Sequence, residues 1–309
     1  MKNLTAVLTV LGAILVVWYA ACVPMNMHEA TLKAERAGLE VVPPKAKERR
    51  QLGGIKLALD NPTLWGQAYS QDRPRLPAPH QIAQEIWKTT GAMVLRGRAF
   101  SKRSLITHGW VTLSATLVGF AFGTVFGVLL AVAIVYNRPM DMSAMPWVIA
   151  SQTVPITAIA PMVVVALGKL QVDDLIVKGV ISMYLSFFPV VVGMVKGLRS
   201  PDAMQLDQMK TWNASGLQTF LALRLPSAMP YLFASLKVGV AASLIGAVVA
   251  EMSLSQDGGL GARLLSGSYN GQMLSMWAAL LMAAALAAVL VFAIGAIQTR
   301  TLNRMGFNR

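Results

Sequence analysis

Asp207-Gln208-Met209-Lys210-Thr211-Trp212-Asn213-Ala214-Ser215, closing on Arg224-Leu225-Pro226, is a polar, small-residue stretch set between two long apolar runs. Just upstream, Leu198-Arg199-Ser200-Pro201 ends the preceding run. Pro201 cannot continue a hydrogen-bonded helix, and it pushes Ser200 toward an extended conformation. Pro201-Asp202 then suits the start of a new helix, with proline in the first turn and a carboxylate at the positive end of the dipole. No breaker follows, so a helix is expected over residues 203–212. Asn213 is the expected stop, because asparagine tolerates the left-handed conformation. A second helix over 217–223 is expected to end before Pro226 and Pro230. The outcome is a short helix–turn–helix with methionine and leucine on its surface. Two readings fit it: an apolar face laid into a partner's groove, or a loop that caps its own bundle.

The flanking runs place this stretch in a membrane protein. The chain has 309 residues, 55% of them apolar and only 13% charged, with a mean hydropathy of +0.55. Runs of about 20 apolar residues are what a helix needs to cross roughly 30 Å of hydrocarbon. Six such spans are predicted, over residues 4–23, 107–136, 143–168, 175–195, 231–252 and 273–298. Glycine and proline within them are compatible with membrane helices, whose neighbours satisfy the freed backbone groups. A single cysteine, Cys22, excludes an internal disulfide framework and a cysteine-based metal cluster. His28, His80 and His108 are scattered without metal-ligand spacing, so no metal site is expected. The net charge of +13 lacks the aromatic interleaving of a nucleic-acid surface; lipid headgroups and orientation account for it better.

Short loops orient the chain. With both termini cytoplasmic, the inside segments hold Lys2, Arg138, Lys196, Arg199, Lys210, Arg224, Arg300, Arg304 and Arg309. The short outside loops hold Lys169 and Arg263 beside Asp173, Asp174 and Asp257, which is the positive-inside bias. The connector between the first two spans runs against it, with Arg96, Arg98, Lys102 and Arg103 close to the second span. The orientation is kept because it places the 199–230 loop inside with the first helix retained. Residues 1–23 also have the outline of a signal peptide, and Tyr19-Ala20-Ala21-Cys22 faintly resembles a lipoprotein processing site. Tyr19 and the continued apolar run favour a retained helix. In the connector, 30–41 reads as a short amphipathic helix stopped by Pro43-Pro44, 45–50 is a charge run, and Pro62, Pro74, Pro77 and Pro79 break the chain. Ile82, Ile86 and Trp87 recur at helical spacing over 81–90, for a helix lying at the interface or packed on the bundle.

Polar residues inside the spans are the pathway candidates. Gln152, Thr153 and Thr157 lie near Pro155 and Pro161, whose unpaired carbonyls are tolerated where they line a cavity or meet a polar neighbour. Helix-to-helix hydrogen bonding is the competing reading, and Tyr184 and Ser186 in the next span invite the same pair. Lys178 and Glu251 are ionisable groups within spans, which seldom face lipid. Lys178 is near enough to an end to snorkel, and Glu251 is expected at the outer end of the fifth span. Gly119, Gly123 and Gly127, four apart, permit close helix approach.

Several motifs in order resemble one family. The 207–226 pattern is similar to the cytoplasmic "EAA" loop of ABC-importer permeases, with Asp207-Gln208-Met209 where Glu-Ala-Ala is usual and Asn213 in place of glycine. Leu76-Pro77-Ala78-Pro79, Thr153-Val154-Pro155-Ile156 with Ala160-Pro161, Ser186-Phe187-Phe188-Pro189 and Gly258-Gly259-Leu260-Gly261 resemble the nitrate/sulfonate/taurine branch. The likeness covers roughly residues 75–300; residues 25–74 have no recognised counterpart. It implies an all-α membrane protein with about six transmembrane helices and a type I (MetI-like) permease core. The implied layout is an N-terminal span over 1–24, a connector with amphipathic or interfacial helices over 25–105, a core over 106–300 and a basic cytoplasmic tail over 301–309.

The resemblance further implies a non-enzymatic, multi-pass subunit of the bacterial inner membrane that imports a small solute of sulfonate, nitrate or heterocyclic vitamin-precursor type. Asp207, Gln208, Met209, Asn213, Ala214, Ser215, Leu225 and Pro226 would couple it to separate ABC ATPase subunits. A second copy, as a homodimer, would complete the pathway, and a periplasmic or extracellular binding protein would deliver the solute. No Gly-x-x-x-x-Gly-Lys-Ser/Thr loop occurs, so ATP and magnesium are expected on the partner. Gln152, Thr153, Thr157, Tyr184, Ser186 and Glu251 are the solute-path candidates. The rival is a secondary transporter driven by an ion gradient. That class favours internal repeats and acidic residues at mid-membrane, whereas the acids here cluster at loops and span ends. A membrane enzyme fits less well, since no span presents a His/Asp/Glu constellation.

Overall fold

The computed structural model describes residues 2–254 and 258–307; Asp257 and Arg309, counted above for orientation, lie outside them. Its regular structure is helical, with no strand among the described residues. The chain divides into two compact units, residues 1–106 with 263–281, and residues 107–262 with 282–309. Five helices are long and apolar enough to cross a membrane, and a sharply bent pair meets the same length and composition only when its two helices are taken together.

The first unit is built on α1 (Lys2–Arg36), followed by α2 (Ala46–Gln51), α3 (Gly54–Asp60), α4 (Trp65–Tyr69), α5 (Pro79–Thr89) and α6 (Gly91–Leu95). The expected break after residue 23 is absent: α1 runs through Pro24 to Arg36 and absorbs the helix expected over 30–41. A proline removes only its own N–H and crowds one carbonyl. Here the turns beyond it are held by packing, as Val23, Met27, Ala30 and Ala34 bury against Leu57, Ala58, Leu64 and Ala68. Asn26 ties the connector to α1, donating to the carbonyls of Ala68 (3.1 Å) and Leu76 (2.8 Å) and accepting from Leu76 N–H (3.0 Å). Arg49, from the charge run, is 3% exposed. It donates to the carbonyls of Pro43 and Pro44 at 2.8 Å each and pairs with Glu35. The proline-broken connector is therefore a folded helical cap. Cys22 is buried with its thiol toward the Pro77 carbonyl, and Trp18 packs on Trp277.

The second unit contains α7 (Leu105–Tyr136), α8 (Arg138–Ser151), α9 (Ile156–Lys169), α10 (Asp174–Leu198), α11 (Ala203–Thr211), α12 (Gly216–Thr219), α13 (Leu225–Ser253), the start of α14 (Leu260–Tyr269) and most of α15 (Met273–Arg304). The Gly119, Gly123, Gly127 ladder packs on α10. A Cβ at Gly119 would overlap Ser182, one at Gly123 would overlap Ser186, and one at Gly127 would sit 2.9 Å from Val190. Two four-residue periods thus mesh, glycine against a small or branched residue, and α7 and α10 close to backbone distance. A second glycine set on α10 does the same toward α13: Gly193 meets Ser235 and Gly197 meets Ala228.

Two expectations are corrected in this unit. The single span expected over 143–168 is two helices, α8 and α9, meeting at 99°. Val148 of α8 packs with Ala131, Ile134, Met194 and Leu198, whereas Ala160 of α9 packs with Val177, Ile181 and Ala250. The two legs therefore contact opposite ends of α10. The break falls at residues 152–155, where Pro155 denies α8 a continuing N–H, while Pro161 is absorbed within α9. Pro226 is likewise not a stop. Residues 220–224 form a π-helical turn, with Leu225 N–H reaching the Phe220 carbonyl, and the helix continues through Pro226 and Pro230. A widened turn relieves the steric demand of a proline ring, and π-bulges commonly absorb such irregularities.

Candidate functional site

The 199–224 segment lies at one end of the second unit, among the last turn of α7, the first turn of α8 and the end of α10. Arg199 pairs with Asp141 at 2.8 Å. Arg224 donates to the Leu198 carbonyl at 3.0 Å, with its guanidinium 5.5 Å from the centre of the Tyr136 ring. These contacts fix where the loop leaves and re-enters the bundle.

Inside the loop, local rules set the turn. The Gln205 side chain accepts from Asp202 N–H at 3.0 Å, covering the entry to α11. At its exit Asn213 takes φ +53°. Asn213 N–H reaches the Lys210 carbonyl (2.8 Å) and Ala214 N–H the Met209 carbonyl (3.0 Å). That pair of bonds is a Schellman ending with asparagine in the position glycine usually takes. Ser215 then opens α12 with a capping box: its hydroxyl accepts from Gln218 N–H (3.3 Å), and the Gln218 side chain accepts from Ser215 N–H (2.8 Å). The sequence foresaw the Asn213 turn but not the Ser215–Gln218 box, although Ser-x-x-Gln is legible at 215–218.

The surface so built is apolar, with Trp212 added to the expected methionine and leucine. Met204 is 83% exposed, Trp212 67%, Leu217 68% and Leu221 54%. Asp207 and Lys210 pair across one turn at 2.8 Å, both exposed. Asp207, Gln208, Asn213 and Ser215 are exposed, and Met209, Ala214, Leu225 and Pro226 partly buried. The structure therefore brings Asp207 to Ser215 together on one projecting turn, while Leu225 and Pro226 belong to the base of α13.

The pathway candidates divide into two groups. Gln152, Thr153 and Thr157 are exposed at the α8–α9 break. Backbone polarity there is satisfied locally: Gln152 N–H bonds the Ile149 carbonyl (3.1 Å), Thr153 N–H bonds Ala150 (3.0 Å), and Tyr184 donates its hydroxyl to the Ser151 carbonyl. Tyr184 thus braces the break from mid-α10. Ser186 is enclosed instead, 0% exposed and 3.3 Å from the Gly119 carbonyl in the glycine seam.

Glu251 is also enclosed, at the opposite end from the 199–224 loop. It is 0% exposed. Its Oε2 accepts from Gly261 N–H (2.8 Å) and from the Thr112 hydroxyl (2.9 Å). Thr112 in turn accepts from Leu260 N–H (2.9 Å), and His108 Nδ1 accepts from Gly259 N–H (2.9 Å). Three successive amides of the Gly258–Gly261 loop are thereby tied to side chains of α7 and α13. Backbone geometry demands the glycines: Gly258 and Gly259 have φ +82° and +113°, and a Cβ on Gly259 would overlap the Glu251 carboxyl. Lys178, expected to snorkel, is instead buried, 2% exposed. Sequence reasoning missed His108 and Thr112 in this knot.

Residues 123–306 match the family described as "Binding-protein-dependent transport system inner membrane component". A probable ABC transporter permease protein of Haemophilus influenzae is 33% identical over 201 residues, covering 65% of this chain and 80% of that one. The formylaminopyrimidine transport permease protein ThiX of Halalkalibacterium halodurans is 31% identical over 186 residues, covering 60% and 68%. The nitrate import permease protein NrtB of Synechocystis is 23% identical over 216 residues, covering 69% and 74%. With this match over more than half its length and five helices long and apolar enough to cross a membrane, the chain belongs to the type I ABC-importer permeases, the membrane subunits of binding-protein-dependent transport.

Proposed function

We propose that this permease subunit couples to its ATPase through the 199–230 loop and imports a small heterocyclic or oxyanionic solute across the bacterial inner membrane. The observation that carries the coupling assignment is the exposed apolar set Met204, Trp212, Leu217 and Leu221 on a loop whose backbone is rigidly capped. A projecting helix with apolar anchors suits insertion into a partner's groove, and a rigid loop transmits force rather than flexing. ATP and magnesium sit on the partner chain. ATPase closure draws two such loops together and turns the pathway outward; hydrolysis resets it.

The solute path runs past the α8–α9 break, lined by Gln152, Thr153, Thr157 and Tyr184, with a second copy of the chain completing it as a homodimer. Support comes from membrane physics: a broken helix at span depth is tolerated where protein covers it or where it lines a water-filled cavity. The solute class rests on relatives named for formylaminopyrimidine, riboflavin and nitrate transport.

The test is co-purification and transport in proteoliposomes with Trp212→Glu and Leu217→Glu, both in exposed positions. Membrane insertion at normal level, loss of ATPase association and loss of ATP-dependent uptake are expected. Uptake at the normal rate by the doubly substituted chain would sink the coupling role.

A further inference from the structure

The helical cap of the first unit lies outside the matched family residues, and its surface points to a ligand. Beside α1 runs an apolar groove of ≈ 580 Å³. Ala20, Val23 and Pro24 form one wall, and Ile55, Leu59 and Trp65 the other. Ile55 and Leu59, four apart on α3, are each 69% exposed, whereas Leu57 and Ala58 between them are buried. This short helix therefore carries two apolar faces. One faces the cap's own core; the other is exposed among the described residues.

The position of the groove follows from α1. Residues 4–23 are apolar and, at 1.5 Å per residue, span about 30 Å, the thickness of the hydrocarbon. The Ala20–Pro24 wall is the last turn of that span. The same helix exposes Val7, Leu11, Ile14 and Val17 by half or more, and only 11% of its apolar window is buried, so its flank is a lipid-facing surface. α3 is pinned at this level, because Gly54 approaches the Pro24 carbonyl so closely that a Cβ would overlap it. Trp65 has its indole N–H already donated to the Ala58 carbonyl at 2.8 Å, so the ring enters an apolar phase without an orphaned donor. A tryptophan at the end of a span, with Lys56 beside it, is the composition of the membrane–water boundary.

We infer that the cap is a membrane-surface module: Ile55, Leu59 and Trp65 insert into the leaflet where α1 ends, and phospholipid acyl chain fills the groove against Ala20–Pro24. Continuity with the lipid-facing flank of α1 selects lipid over a binding protein or a second copy. The cap then holds α1 at a fixed depth, since sliding the helix would drag three apolar side chains out of the bilayer.

The test places a fluorophore at Ile55→Cys and Leu59→Cys, with Lys47→Cys as the exposed reference, in the assembled permease–ATPase complex in phosphatidylethanolamine/phosphatidylglycerol nanodiscs. Cys22 is 0% exposed, so the unsubstituted chain serves as the labelling blank. Nitroxide-bearing phospholipid is expected to quench positions 55 and 59 several-fold more than 47, and a nitroxide near the headgroup more than one at the chain end. Equal iodide quenching at all three positions would put the groove in water and overturn the inference. Blue-shifted emission at 55 and 59 without quenching by nitroxide lipid would mean that protein covers the groove, and would equally overturn it. Both outcomes are independent of whether the 199–230 loop couples to the ATPase.

Discussion

Removing the Glu251 carboxylate is expected to unfasten the Gly258–Gly261 loop, and the geometry sets how much that costs. Glu251→Ala leaves Gly261 N–H without its 2.8 Å acceptor in a buried site, a loss of about 1–3 kcal/mol. Thr112 is less affected, since its hydroxyl can turn to the His108 carbonyl at 3.1 Å. The one deleted methylene adds about 0.8 kcal/mol, for a total of about 2–4 kcal/mol. Glu251→Gln separates the terms. The amide oxygen can accept from both Gly261 and Thr112, and the amide nitrogen takes the place of Oε1, which has no hydrogen-bond partner among the described residues. Gln should therefore recover most of the loss, to within about 1 kcal/mol. The assay is thermal unfolding of the purified complex, with hydrogen exchange read at the 258–261 amides. Ala should speed exchange at Gly261 and lower the unfolding midpoint, while Gln should stay close to the parent. Parent-like exchange at Gly261 in the Ala variant would refute the tie.

Gly123→Leu should abolish the folded, monodisperse protein on size-exclusion chromatography, because even a Cβ there overlaps Ser186; Gly12→Leu, with nothing within 4 Å, should not. Asn213→Gly should match the parent in stability and transport, whereas Asn213→Val pays about 1–2 kcal/mol for the left-handed backbone and should slow ATP-dependent uptake while inserting normally. Tyr184→Phe removes the brace to Ser151, worth about 1 kcal/mol. It should raise cysteine accessibility at position 153 and lower uptake without lowering expression.

Much of this was readable from local chemistry. The apolar runs marked the spans, the four-residue glycine spacing marked the α7–α10 seam, and Pro201-Asp202 with Asn213 outlined the projecting helix. The misreadings concern prolines and distance. The first span was closed at residue 23 where the apolar run ends, and Pro226 read as a stop because a proline's missing N–H is a local fact, whereas the packing of Met27 and Ala30 and the π turn at 220–224 that carry the two helices onward are not. Pro155 and Pro161 were both suspected of disturbing the third span, yet only the first sits at the break. The Glu251 knot was opaque for another reason. Its partner Thr112 is 139 residues away, and no periodicity along the chain connects them. The connector hid its core in the same way, since Arg49 looked like one member of a charge run until its carbonyl partners were in place.

The helix that begins above the π turn has a mechanical consequence. From Leu225 to Ser253 it is uninterrupted for 29 residues, about 43 Å at 1.5 Å per residue. One end stands beside the 199–224 segment and the other carries Glu251. A stiff strut of that length turns angle into displacement: a tilt of about 5° about the π turn carries the Glu251 end roughly 4 Å sideways. The Gly258–Gly261 loop, stitched to that end, would travel with it. A displacement at the 199–224 end would then reach the Glu251 end as leverage, without any side-chain relay in between.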